Sequence, residues 1–248
     1  MASALFSAAS CAYTLPMDEI QYPIRINKYL ARQGYSTRKD ADRLVEEGLV
    51  IVNGKPAVIG QKVDERDVIE VRYQPRNFRY VAYHKPIGVV THSPQYGEKD
   101  AARSVGVAGL FPVGRLDKRS HGLLILTDDA RVTDRLLSPR YEHEKEYIVT
   151  TIEELPSNFK SRMEQGVDIE GYTTKKCVVE VKGPRTFLIR LTEGKKHQIR
   201  RMCAALRLTI DMLQRTKVMN IKLGGMKPGE QRDIAGKELS DFLSALGL

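Results

Sequence analysis

Between residues 73 and 79, YQPRNFR, the hydrophobic period that runs through the chain on either side is lost. Pro75, Arg76 and Asn77 suit neither a helix interior nor a strand interior, so the stretch is expected to be a linker. The chain must then fold as two bodies rather than one.

On the first side, over residues 23–72, the helical pattern starts at Ile24. Ile26, Tyr29 and Leu30 share one face, with Gly34 at the expected C′ position. A second helix is expected at once. Thr37 and Asp40 have capping-box spacing, Ala41, Leu44 and Val45 give the buried stripe, and Gly48 ends it. LVIVNGKPAVIG then reads as a hairpin turning at Asn53 and Gly54, because a type I′ turn needs two residues that tolerate positive φ. The polar faces carry Arg25, Lys28, Arg32, Arg38, Lys39 and Arg43 against Asp40 and Asp42. Such a face suits phosphate tracking, the alternative being an ordinary solvated surface.

On the second side, residues 80–248, apolar runs at Val81–Tyr83, Leu123–Leu126, Tyr147–Val149, Val178–Val181 and Phe187–Leu191 read as strands. Helical patterns fall at Ala130–Leu137, Phe159–Gln165, His197–Leu206 and Leu239–Leu246. Several successive strands lack a connection long enough for a βαβ crossover. The expected architecture is therefore α+β: a mixed, mainly antiparallel sheet with helices packed on it.

Charge and cysteine usage narrow the function classes. A formal charge of +9 in 248 residues predicts attraction to a polyanion, with RNA the first candidate. Three cysteines in no close spacing argue against a disulfide framework and a thiolate metal site, and they fit a reducing compartment such as the cytoplasm. The five histidines offer no metal-ligand spacing, and no apolar run has the length of a membrane span. Residues 1–22, rich in Ala and Ser without a basic n-region, read as a disordered leader or as a stretch upstream of a true start at Met17.

Asp117 is the residue with the most chemistry to explain. The stretch FPVGRLDKRSHGLLILT, Phe111 to Thr127, sets it among polar and basic residues where a strand leaves the core and returns. A carboxylate beside Arg115 and Lys118 stays ionised and reachable, as a nucleophile or general base requires; a solvated turn Asp is the alternative.

GRLDKRSHGLLILTDDA resembles the central motif of the pseudouridine synthases, in the branch that modifies ribosomal RNA and carries a small RNA-binding domain ahead of the catalytic one. The resemblance continues in family order through KPIG at Lys85–Gly88, HEKEYIVT at His143–Thr150 and TEGKKHQIRRM at Thr192–Met202. QRTKVMNIKL at Gln214–Leu223 and PGEQRDI at Pro228–Ile234 extend it to nearly the whole chain. HEKEYIVT, TTKKCVV and RTKVMNIKL are similar to the subgroup acting on a uridine of large-subunit (23S) ribosomal RNA. STRKDADRLVEEGLVIVNG resembles the alpha-L RNA-binding motif, which assigns residues 23–72 to RNA docking. Two departures are visible: His92 stands where the family favours small polar residues, and the leader is unmatched.

The resemblance implies conversion of uridine to its C-glycoside isomer. The N1–C1′ bond breaks, the uracil turns and rejoins through C5, with no cofactor or metal required. It implies Asp117 as the catalytic carboxylate, Arg200 as its pairing cation and Tyr147 as the pocket aromatic that stacks on the flipped base. Leu223 would close the other side of the ring, with Lys85, Gly88 and Arg115 shaping the pocket and Lys85 near phosphate. Arg201 would contact RNA, and His121 would wedge RNA or serve as a polar turn residue. The expected protein is a monomeric, cytoplasmic RNA isomerase. Two rivals from other classes are a non-catalytic RNA-binding or ribosome-assembly factor and a hydrolytic enzyme built on an Asp and a basic partner, the latter opposed by the lack of a nucleophile triad, metal-ligand set or phosphate-cradling Gly loop; within the class, transfer RNA is the competing substrate.

Overall fold

A computed structural model describes residues 22–33, 35, 38–72, 78–92, 94–138 and 141–248, without the side chains of residues 32 and 38–40. The leader, the cap signals at Gly34 and Thr37, and residues 73–77 of the expected linker lie outside the described residues. Contacts divide the chain into two units, one within residues 1–74 and one from residue 75 to residue 246.

The first unit runs β1 (Ile24–Arg25), α1 (Ile26–Arg32), α2 (Arg38–Glu46), β2 (Val50–Val52), β3 (Lys55–Pro56), β4 (Lys62–Val63) and β5 (Ile69–Val71). Helix α1 starts two residues later than the apolar pattern because Ile24 and Arg25 pair with Val63 and Lys62. Ile26, Leu30, Ala41, Leu44, Val45 and Val50 form its core. Val52 pairs with Lys55, and the two residues between them, Asn53 and Gly54, have φ of 51° and 79°. Those are the left-handed values that a two-residue hairpin turn demands. Arg25, Lys28 and Arg43 are exposed; Arg43 also lies 3.8 Å from Glu47.

The second unit begins with β6 (Tyr80–Lys85), α3 (Ala101–Val105), β7 (Phe111–Val113), β8 (His121–Thr127), α4 (Ala130–Leu137) and β9 (Lys145–Thr151). It continues with α5 (Phe159–Glu164), β10 (Val178–Gly183), β11 (Thr186–Leu191), α6 (Gln198–Ala205) and β12 (Ile210–Val218). The remaining elements are β13 (Ile221–Lys222), β14 (Gln231–Asp233) and α7 (Gly236–Ala245). Among the described residues the sheet has nine strands in the order β10-β11-β9-β12-β8-β6-β14, with β7 on β8 and β13 on β12. All pairs are antiparallel except β12 with β8, so the fold is the mixed, mainly antiparallel α+β arrangement.

The LLIL run of β8 is continuous because both sheet faces are covered: Leu123 and Ile125 pack in one cluster, Leu124 and Leu126 in another. The nine-residue β12 carries no such signal. Its sequence IDMLQRTKV holds Asp211, Arg215 and Lys217, and it was not among the expected strands. Phe78 packs against the β8 core under the guanidinium of Arg131, 4.7 Å from the ring centroid, and the Arg79 amide donates to Asp128. The last two residues of the expected linker therefore belong to the second unit.

The single parallel pair depends on a glycine. Gly122 has φ of +112°, and a Cβ there would meet the carbonyl oxygen of Arg215 at 2.3 Å and its nitrogen at 2.6 Å. Only a residue without a side chain lets β8 and β12 approach this closely. That approach sets Arg215 beside the loop that precedes β8.

Candidate active site

Asp117 lies in the loop between β7 and β8, and the backbone around it is fastened on both sides. The Thr91 hydroxyl donates to the Leu116 carbonyl at 2.6 Å and accepts from the Leu116 amide at 3.0 Å. Arg215 donates to the carbonyl of Arg115 at 3.3 Å and, through Nε, to that of Leu123 at 2.7 Å. The Gly88 amide donates to the Lys118 carbonyl at 2.8 Å, and Arg200 donates to the Arg119 carbonyl at 3.1 Å and the Ser120 hydroxyl at 3.3 Å. Four donors thus occupy the carbonyls at 115, 116, 118 and 119. The Asp117 carbonyl itself accepts the Ser120 amide at 2.9 Å, closing the turn. The main chain is held by the protein while the carboxylate, 36% exposed, is left to face the cleft. This is the preorganisation a reacting group needs.

The cleft has a volume of about 570 Å³, on the scale of a nucleotide-sized ligand. The Asp117 loop forms one wall. Tyr147 and Lys145, two residues apart on β9 and hence on one strand face, form the back together with Arg215 of β12. Residues 192–197, entering α6, form the opposite wall. That wall is tied by one carboxylate: Glu193 accepts from the Tyr172 hydroxyl at 2.6 Å, the Lys175 amide at 2.9 Å and the Gln198 amide nitrogen at 2.6 Å. Basic side chains outnumber the carboxylates of Asp117 and Glu193 around the opening, so the cleft favours a polyanion.

Several expected site residues meet here and others do not. Asp117, Tyr147, Arg115 and Arg200 line the cleft. Arg200, expected to pair with Asp117, is instead engaged with the Asp117 loop at Arg119 and Ser120. The group that faces the carboxylate is His197, with Nε2 3.4 Å from Oδ1. His197 was passed over as a site residue, although it stands one helical turn before Arg200, where i and i+3 side chains are neighbours. It has φ of 53°, a left-handed value unusual for a non-glycine residue.

Lys85 is not available to phosphate. It is fully buried, and its ammonium donates to the carbonyls of Pro86 at 3.0 Å and Val89 at 2.7 Å. Burial lowers its pKa to about 8, with the Asp117 charge opposing that shift and Arg215 adding to it. Gly88 borders a separate hollow beside Lys118 and Glu98. Leu223 is a core residue of the β8 cluster and is absent from the cleft wall. Arg201 is occupied by the Ile169 carbonyl at 2.6 Å and by Glu170 at 2.8 Å, so it ties a loop. His121 opens β8 rather than sitting in the turn, and it stacks on His84 with ring centroids 5.5 Å apart.

Lys145 is the residue the sequence reading passed over inside a quoted motif. Burial lowers its pKa to about 8, with Arg215 adding to the effect. Its one hydrogen bond among the described residues goes to the His143 carbonyl at 3.2 Å. His143 also lines the cleft, its imidazole pKa held below the usual value by burial, and its buried Nε2 has no partner. Among the described residues, no group of three or more His, Cys, Asp or Glu is placed to hold a metal, and no helix is long and apolar enough to cross a membrane.

Comparison with known proteins gives this geometry a family. Residues 79–205 match the family model for RNA pseudouridylate synthase, and residues 24–69 match the S4 domain. The chain is 38% identical over 231 residues to the dual-specificity RNA pseudouridine synthase RluF of Escherichia coli (strain K12), covering 90% of this chain and 79% of the relative. It is 35% identical to an uncharacterized RNA pseudouridine synthase of Aquifex aeolicus (strain VF5), covering 91% of this chain and 96% of the relative. A crystal structure of a pseudouridylate synthase aligns with a TM-score of 0.65 at 25% identity, covering 90% of this chain and 99% of that one. With an S4 match ahead of a pseudouridylate synthase match in one chain, and a relative 38% identical over most of its length, the chain belongs to the RNA pseudouridine synthase family, isomerases that act on RNA.

Proposed function

We propose that the protein isomerises a uridine of large-subunit ribosomal RNA and that Asp117 is the carboxylate that does the chemistry. The observation that carries this reading is the Asp117 loop, whose neighbouring carbonyls are taken up by Thr91, Arg215, Gly88 and Arg200 while the carboxylate faces a cleft of about 570 Å³. A nucleotide swung out of its stack fits such a cleft, with the Tyr147 ring available as a stacking face. Arg200 serves the reaction by fixing the loop, and the His197 imidazole faces the carboxylate with Nε2 3.4 Å from Oδ1. Exposed Arg25, Lys28 and Arg43 of the first unit supply sequence-independent attraction to the RNA backbone. The ribosomal address rests on the wording of the β9 and β12 motifs. The name dual-specificity, carried by the Escherichia coli relative, supports testing transfer RNA beside ribosomal RNA.

The test is tritium release. Uridine-C5-tritiated ribosomal RNA and transfer RNA are incubated with wild type and with Asp117→Asn, since C5 loses its hydrogen when it becomes the glycosidic carbon. Wild type is expected to release tritium from ribosomal RNA and the variant to release none. Release by Asp117→Asn at the wild-type rate removes Asp117 from the chemistry, and release from transfer RNA alone moves the substrate.

A further inference from the structure

Lys145 presents an electrostatic anomaly. It is a partly buried ammonium in a cleft, and among the described residues it has no carboxylate within ion-pair distance. The charge that acts on it is that of another cation, Arg215. Taking a cation out of water without an anion is costly, and a side chain of similar length and no charge would spare the protein that cost. The contrast with its strand neighbour is informative: Glu146, one residue on and facing the other way, is fully engaged by Arg190 at 2.9 Å and by Thr216 at 2.9 Å. An anion that belongs in the cleft but is not part of the chain accounts for the difference.

The reaction supplies such an anion at one moment. When the N1–C1′ bond breaks, its electron pair leaves with the base, giving a uracil anion whose charge spreads over N1, O2 and O4, while C1′ is captured by, or loses a neighbouring proton to, the carboxylate. If the carboxylate first adds to C6 instead, the displaced pair again moves onto the ring oxygen O4. C5 then attacks C1′, the carboxylate is released, the C5 proton passes to water, and N1 ends protonated, so the sequence is redox-neutral. In either route negative charge develops on the ring, while the RNA phosphates carry theirs throughout.

We infer that the Lys145 ammonium binds the detached uracil ring and stabilises the negative charge that develops on it, acting with the Tyr147 face two residues along the same strand. Lys145 is then a catalytic residue rather than a structural one. This rests on the proposed role of Asp117 only in sharing its cleft. A cation placed where charge develops acts on the transition state more than on the ground state.

The experiment compares wild type, Lys145→Met and Lys145→Arg in the tritium-release assay with uridine and with 4-thiouridine at the target, the thiocarbonyl making the ring a better leaving group. Lys145→Met is expected to lose roughly 100- to 1,000-fold in kcat, with KM within about threefold, the size of effect that one removed stabilising donor produces. That deficit is expected to shrink at least about tenfold with 4-thiouridine, and Lys145→Arg is expected to recover part of it. Its melting temperature is expected to equal or exceed that of wild type, because the unpaired cation is gone.

A second measurement needs no turnover. By calorimetry, 5-nitrouracil, anionic at neutral pH, is expected to bind wild type at least about tenfold more tightly than neutral uracil, a preference absent from Lys145→Met. Turnover by Lys145→Met within about threefold of wild type, a deficit indifferent to the leaving group, or equal binding of the two bases by wild type overturns the assignment. Wild type releasing no tritium from any RNA removes the proposed substrate reading, and the calorimetric comparison still decides Lys145.

Discussion

Two lysines of the second unit share one electrostatic signature and differ in what surrounds them. Lys85, at the end of β6, and Lys145, at the start of β9, are both lowered from the ordinary value of 10.5 to about 8, both by burial first. Lys85 is sealed: its ammonium satisfies two main-chain carbonyls and lies near enough to Asp117 to feel its charge. Lys145 is open, with a single 3.2 Å ammonium bond among the described residues and the cleft in front of it. The difference shows that a shifted pKa does not by itself separate a strut from a working group; the hydrogen bonds left unmade do.

The comparison is broken most sharply by replacing each lysine with Met. The relief of desolvation is similar for both, so it cancels in the difference. Lys85→Met strands two carbonyls, whereas Lys145→Met frees one that faces the cleft. Lys85→Met is therefore expected to be less stable than Lys145→Met by roughly 2–6 kcal/mol in urea unfolding, at ~1–3 kcal/mol for each stranded acceptor. Equal stabilities would make Lys85 no strut.

A smaller effect tests one anchor of the Asp117 loop. Thr91→Val keeps the shape but removes the hydroxyl that both donates to and accepts from Leu116. It is expected to reduce kcat about 10- to 100-fold with the fold intact, since a displacement near 1 Å in a reacting group costs on that order. Unchanged kcat would mean that Arg215, Gly88 and Arg200 suffice to hold the loop.

The smallest effect is in the pH dependence. Between about pH 8 and 10.5 an unfolded lysine is protonated while folded Lys85 and Lys145 are not. The unfolded chain then binds more protons, so stability rises with pH across that window. Lys145→Met is expected to flatten this rise by one group's share, seen as a smaller slope of unfolding free energy from pH 8 to 10. In the same window kcat/KM of wild type is expected to fall as Lys145 loses its charge. Asp117, Arg215, Tyr147 and His143 face the same cleft, and Lys145→Arg keeps all four, so its profile is expected to stay flat through pH 8. A fall that persists in Lys145→Arg assigns the limb to another group.

Much of the fold was legible because its signals are local. The Asn53–Gly54 turn, the helices at Ala130, Phe159 and His197, and the doubly covered LLIL strand each follow from residues a few positions apart. Strand β12 was not legible: its polar positions Gln214, Arg215 and Lys217 face partners supplied by β8 and β9, which only the sheet brings to it. The site divided in the same way. Asp117 and Tyr147 stood out through motif resemblance and line one cleft, whereas the expected pairing of Arg200 with Asp117 gave way to a loop anchor. A motif names the residue but not which of its neighbour's atoms it touches.

By itself the sequence determined the two-body organisation, the α+β class and the basic character, properties of composition and short spacing, and its motifs pointed to an RNA isomerase through their resemblance to a known family. The tertiary structure decided that His197 faces the carboxylate, that Lys85 is enclosed, that Leu223 belongs to the core, and that Lys145 lines the cleft beside Tyr147 with no ion pair among the described residues. The physical reason is reach. Side-chain chemistry is written one residue at a time, but charge, burial and hydrogen bonding depend on groups within a few ångströms, and here those groups come from segments as much as 100 residues apart.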